Sequence, residues 1–244
     1  GKYFEDIKDY EKSFLNYSSG NKIIKKFTNY KIEYHKNEFT RIKNFKYENL
    51  GNTNNDLSRK LIFIVGMPRS GTSMIEKVLG NNSNVDEMGE LVTLNNIITA
   101  KRKNNVNWPM NISTLDQEDI NEFRNEYMRV IHEINPKVKE IFIDKMPGNF
   151  LHIGLIKKIF PDSIIINTTR DPLDTCLSIY FLKFPDKHRY SFNLKNLGEY
   201  YINYKNIMSF WKKKFPNEIY SLNYEKFINN PKEETKNLYK FCNS

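Results

Sequence analysis

The sequence predicts an α/β fold: a P-loop-like parallel sheet flanked by helices, with an N-terminal helical hairpin ahead of it. Three observations carry that prediction. Leu61-Ile62-Phe63-Ile64-Val65 is a continuous apolar run, the pattern of a strand buried on both faces, and Gly66 to Thr72 break it before an amphipathic helix marked by Met74, Ile75, Val78 and Leu79. Strand-like and helix-like segments then alternate along the chain, which implies a mainly parallel sheet with helices on both faces. Residues 1–58 differ from the rest in showing helical spacing alone.

In that first stretch Tyr3, Ile7, Tyr10, Phe14 and Tyr17 recur at helical spacing, and a second run, Ile23, Ile24, Phe27 and Tyr30, follows Gly20. Two antiparallel helices of this kind could be the last unit of a repeat array. The polar stretch Gly51–Asp56 is a natural boundary, so the expected division is a helical appendage over 1–58 and a main domain over 59–244. Phe123, Tyr127, Val130, Ile131 and Ile134 mark a further amphipathic helix. Ile141–Ile143 suggests a second strand, Leu151–Phe160 a helix, and Ser163–Thr168 a third strand ahead of Arg170. Asp171-Pro172 is a strong helix start, with an Asp able to cap, Pro at the first helical position and Asp174 in the first turn. Leu194–Trp211 reads as a helix and Ile219–Asn223 as a short strand, and Asn230-Pro231 opens a last helix.

The chain of 244 residues, 39% hydrophobic and 14% aromatic, is long enough for one sizeable core. Lys and Arg total 38 against 29 for Asp and Glu, a formal net charge of +9, which favours anionic ligands such as nucleotides. Acidic residues interrupt the basic ones throughout, so a solvated surface is the better reading and no nucleic-acid stripe is expected. Cys176 and Cys242 have neither disulfide-framework nor zinc spacing, and His35, His132, His152 and His188 are scattered, so no metal is expected. His152 sits among apolar neighbours and reads as a core or boundary residue. No apolar run approaches the roughly 18 residues of a membrane span, and with the cysteine usage this points to a reducing, cytoplasmic setting. Asn-x-Ser/Thr triplets such as Asn111–Ser113 are expected by chance in so Asn-rich a chain.

The sharpest motif is Gly66-Met67-Pro68-Arg69-Ser70-Gly71-Thr72-Ser73, a loop between a buried strand and a helix. Glycines let the backbone turn tightly around an anion, amides at the helix start point at it, Arg69 offers a fork of donors, and Thr72 and Ser73 offer hydroxyls. Gly-x4-Gly matches a Walker A loop, but Thr72-Ser73 stands where Lys-Ser/Thr would follow, so the usual nucleoside-triphosphate lysine is missing. Asp144 after Ile141–Ile143 could imitate a Walker B acid, which keeps a kinase or nucleotide hydrolase as a rival.

With these residues in view, the sequence resembles the sulfotransferases that use 3′-phosphoadenosine 5′-phosphosulfate (PAPS), and most closely the branch of protein-tyrosine sulfotransferases and bacterial enzymes joined to tetratricopeptide repeats. Gly66–Ser73 is similar to the family's 5′-phosphosulfate loop, which implies that Pro68, Arg69, Ser70, Gly71, Thr72 and Ser73 hold that end of the donor. Ile166-Asn167-Thr168-Thr169-Arg170-Asp171-Pro172-Leu173-Asp174-Thr175-Cys176-Leu177-Ser178 resembles the 3′-phosphate motif, implying that Arg170 and Ser178 bind that phosphate. Gly89-Glu90-Leu91 resembles the segment of the catalytic base, with Glu87 the substitute for Glu90. Asp144-Lys145-Met146-Pro147-Gly148-Asn149 resembles that of the catalytic lysine, and Tyr224 the tyrosine at a strand end that contacts the nucleotide. The resemblance spans residues 60 to 242. It implies PAPS as donor, adenosine 3′,5′-bisphosphate as product, no metal, and an acceptor hydroxyl on a peptide tyrosine, saccharide or small alcohol. A catalytically inactive binding module is the rival of another class, and oligomerisation stays open.

Overall fold

The computed structural model describes residues 1–44, 60–102, 112, 115–184 and 186–243. The polar stretch Gly51–Asp56, with the expected boundary at 58, lies outside them, as do Asn111 and Ser113 of the triplet noted above. In chain order the elements are α1 (Lys2–Asp6), α2 (Tyr10–Phe27), α3 (Ile32–Asn44), β1 (Lys60–Gly66), α4 (Thr72–Gly80), β2 (Val85–Glu87), α5 (Thr93–Arg102) and α6 (Gln117–Ile134). There follow β3 (Ile141–Asp144), a 3₁₀ segment (Pro147–His152), α7 (Ile153–Ile159), β4 (Ile164–Thr169), α8 (Pro172–Tyr180) and a second 3₁₀ segment (Asp186–Phe192). The last elements are α9 (Leu194–Lys214), β5 (Ile219–Asn223), α10 (Tyr224–Asn229) and α11 (Pro231–Asn243).

The five strands form one sheet in the order β2-β3-β1-β4-β5, with every neighbouring pair parallel. This is the fold class read from the sequence. Strand β1 is central because both its faces are apolar. Ile62 and Ile64 join Ile75 and Leu79 of α4, Ile143, Ile166, Leu222 and Leu238 in one buried layer. Phe63 faces the other way, 6.2 Å by ring centroids from Tyr127 and from Phe160. Elsewhere in the core, Trp211 donates its indole N–H to the Phe150 carbonyl at 2.8 Å. The alternation of β1 thus feeds two cores, as expected of a strand covered on both sides.

The chain divides into two compact units, residues Gly1–Thr40 with Asp171–Asn206, and residues Arg41–Arg170 with Ile207–Ser244. The sheet lies in the second. In the first, Asn21 donates to the Tyr180 carbonyl at 2.8 Å and Tyr17 stacks on Phe181 at 4.4 Å. Tyr190 stacks on Tyr200 at 3.7 Å, and burial pushes the His35 imidazole beside them down to about 4.

Several local expectations change. Gly20 lies inside α2 in open space rather than between two helices; one exposed glycine costs a helix only about 1 kcal/mol. The first break falls earlier, where Lys8 takes φ 61 and Asp9 caps α2 by accepting the Lys12 N–H. The helix expected at Leu151–Phe160 begins as a 3₁₀ turn at Pro147. Strand β2 and helices α5 and α10 carry no clear periodicity in the sequence, and Tyr224 opens α10 just past the end of β5.

Candidate active site

Each strand delivers one element of the site at its carboxyl end, where open parallel sheets usually bind ligands. The loop Met67–Gly71 follows β1, Glu90 follows β2, Lys145 follows β3, Arg170 follows β4 and Tyr224 follows β5. All of these residues belong to the second unit.

The loop has the backbone of an anion cradle. Arg69 takes φ 68 and Gly71 φ 97, the left-handed conformations that turn successive amides to one side. Gly71 is also the N-cap of α4, so the first turn of that helix has no side-chain cap, and its dipole favours an anion there. A Cβ on Gly66 would stand 2.7 Å from the Thr168 carbonyl oxygen, so only glycine lets the loop leave β1 this close to β4. Arg69 and Ser73 are exposed, Pro68 half-buried and Thr72 buried. Ser70 is buried, with its hydroxyl donating to the Met67 carbonyl and meeting the Thr168 hydroxyl, both at 2.7 Å. Its side chain therefore holds the loop in shape.

Tyr224 joins two motifs. Its ring lies against Gly71, where a Cβ would meet Cδ2 at 2.7 Å, and the Arg170 guanidinium sits 5.1 Å over the ring centroid. That is cation–π distance, and it aligns Arg170 with the phosphate loop. Ser178 lies half-buried on α8, in the first unit. The capping read from the sequence is present there: Asp171 accepts the amides of Leu173 and Asp174, and Pro172 opens the helix.

The two residues taken for chemistry meet. Beyond the three register pairs of β2 with β3, the Met88 amide donates to the Ile143 carbonyl at 3.0 Å and the Lys145 amide to the Gly89 carbonyl at 2.9 Å. This extension of the ladder sets Lys145 and Glu90 side by side, and the Lys145 ammonium donates to Glu90 Oε1 at 2.9 Å. The lysine side chain is 8% exposed and that of Glu90 57%. Glu87, the substitute base, pairs instead with Lys77 at 2.5 Å.

Sequence reasoning missed Glu76. This buried carboxylate of α4 accepts the Gly89 amide on Oε1 at 3.0 Å and holds Oε2 3.8 Å from the Lys145 ammonium. Burial raises its pKa, against the pull of Lys145 and of that amide. The signal available was an acid between Ile75 and Leu79, on the arc of α4 that faces the sheet.

Asp144, the Walker B candidate, is fully buried. It accepts the Tyr127 hydroxyl at 2.7 Å and the Asn149 amide at 3.3 Å on one oxygen, and burial pushes its pKa up to about 7. The carboxyl is thus engaged within the fold by Tyr127 and Asn149. Because its folded pKa lies above the ordinary 3.8, the native protein holds this proton where the unfolded chain has lost it. Stability from this group therefore falls as pH rises from about 4 to 7 and stays low above. Asp144→Asn should flatten the fall in melting temperature between pH 4 and pH 7; an unchanged slope would show that another group sets it.

A groove of about 1060 Å³ opens beside Glu90, lined among others by Thr93, Asn96 and Ile97 of α5 and by Phe123 and Val130 of α6. Its volume suits an organic ligand. Among the described residues no group of three or more His, Cys, Asp or Glu could hold a metal ion, and no helix is long and apolar enough to cross a membrane. His152 is buried, 3.1 Å from Asn95 Oδ1.

A parallel five-stranded sheet flanked by helices, with a glycine-bounded loop between its central strand and the next helix, places the chain in the P-loop-like α/β class. The chain belongs to the sulfotransferase family, whose profile matches residues 62–244. It is 31% identical over 254 residues to an uncharacterized protein of Aquifex aeolicus, an alignment covering 99% of this chain and 33% of that one. It is 24% identical over 185 residues to a Caenorhabditis briggsae protein named provisionally as a protein-tyrosine sulfotransferase, covering 75% of this chain and 65% of that one. The chain thus spans about a third and about two thirds of these relatives. Among solved structures, sulfotransferase STF9 of Mycobacterium avium superposes with a TM-score of 0.50 over 87% of this chain and 68% of that one, at 13% identity, a likeness of fold.

Proposed function

We propose that this chain transfers the sulfuryl group of PAPS to a hydroxyl of an acceptor held in the groove beside Glu90. The observation that carries the reading is the 2.9 Å contact between Lys145 and Glu90, with Lys145 3.8 Å from Glu76, which lies about one helical turn from the phosphate loop along α4. Sulfuryl transfer needs an acid and a base on opposite sides of one sulfur, with the reacting atoms in line. Glu90 takes the acceptor proton as the new S–O bond forms. Lys145 meets the electron pair left on the bridging oxygen as the old S–O bond breaks, and the product is adenosine 3′,5′-bisphosphate. Arg69 and the amides at the head of α4 hold the 5′ end of the donor; Arg170, over the Tyr224 ring, holds the 3′-phosphate. No metal is required, because fixed cations balance the developing charge.

Adenosine 3′,5′-bisphosphate should raise the melting temperature while ATP with magnesium does not; stabilisation by the second alone would overturn the reading. A panel of tyrosine peptides, saccharides and small alcohols, incubated with PAPS and read by mass spectrometry for sulfate addition, then identifies the acceptor class.

A further inference from the structure

We infer that Glu76 is a positioning residue for this transfer, the counter-ion that keeps Lys145 in place while Glu90 is released to act as base. The inference rests on the function proposed above. The distances set the problem. Lys145 donates to Glu90, and a carboxylate bound to an ammonium is a poorer proton acceptor than a free one. For transfer the ammonium must turn from Glu90 toward the leaving oxygen. The lysine side chain is only 8% exposed, and an ammonium leaving its sole anion there would be buried without compensation. Glu76 supplies a second anion: its side chain is 7% exposed, and its Oε2 stands 3.8 Å from the same nitrogen. Its other oxygen accepts the Gly89 amide, so one carboxylate fixes both the lysine and the turn that presents Glu90. Because Glu76 lies on the helix that begins in the phosphate loop, the donor cradle and the acid–base pair share one rigid support.

Glu76→Gln tests this, since the amide oxygen can still accept the Gly89 N–H while the charge is lost. The assay follows release of adenosine 3′,5′-bisphosphate from PAPS, with the acceptor identified by the panel or with water alone. We expect kcat to fall about 10²-fold with KM for PAPS within about threefold, the size of loss that misplacement of a reacting group produces. In a Lys145→Ala background the same substitution should add nothing, because Glu76 acts through that lysine. Unchanged kcat in Glu76→Gln, or a full additional loss in the Lys145→Ala background, overturns the inference and leaves the proposed function standing. No release by the native protein overturns both together.

Discussion

Lys145→Ala should reduce sulfuryl transfer about 10²- to 10³-fold, the size of effect seen when a preorganised group facing developing charge is removed. Affinity for adenosine 3′,5′-bisphosphate should stay within a few-fold, because the lysine is assigned to the bridging oxygen and the nucleotide to Arg69, Arg170 and Tyr224. The variant should also be less stable in a pH-dependent way. Removing the ammonium leaves Glu76 buried without its cation, on the order of 3 kcal/mol when the carboxylate is charged. Its pKa already lies above the ordinary 4.5 through burial, and loss of Lys145 moves it further up. The folded variant then holds a proton that its unfolded chain releases, so stability falls as pH rises above about 4.5. The melting temperature should lag the native protein clearly at pH 8 and approach it at pH 5. A gap that is equal at both values would mean that Glu76 finds another partner, and activity surviving the substitution would remove Lys145 from the mechanism.

Gly71→Ala should be as damaging at the other end of the site. The new methyl would meet Tyr224 Cδ2 at 2.7 Å, at a φ of 97 that side chains other than glycine rarely adopt. The backbone strain alone costs about 1–3 kcal/mol. Relief requires the Tyr224 ring to move, and the ring supports the Arg170 guanidinium. Stabilisation by adenosine 3′,5′-bisphosphate should therefore disappear although the phosphate loop keeps all its polar groups. In a Tyr224→Ala background, Gly71→Ala should cost only the backbone strain, so the two changes should not add. Additive losses in calorimetric melting would mean that ring and loop are energetically independent.

Only parts of this site are legible in the sequence. The central strand and its loop were legible because Leu61–Val65 must be buried on both faces and a glycine-bounded turn before a helix has few other uses. Lys145 and Glu90 were named from short resemblances, but their contact was not legible, because it depends on a strand of three residues. Val85-Asp86-Glu87 is too short for alternation to register, and only pairing with β3 makes it a strand. Glu76 was hidden for another reason. Beside Lys77 it reads as the polar flank of an amphipathic helix, and its burial follows from a partner 69 positions away, Lys145. Gly20 shows the converse error: read as separating two helical runs, it lies inside one helix, which continues past it at small cost. Tertiary pairing, rather than local preference, decided the first two of these cases.

The position of β2 at the margin of the sheet separates two evolutionary freedoms. The proposed donor cradle lies at the middle strand, where an insertion would disturb neighbours on both sides. Glu90, the proposed base, lies beside a border strand bonded along one edge only, and the groove beyond it is lined by α5 and α6. On the proposed function, remodelling that border changes which hydroxyl is admitted while the loop after the middle strand stays untouched. A lineage with this architecture can therefore diversify in what it modifies without reinventing how it does so.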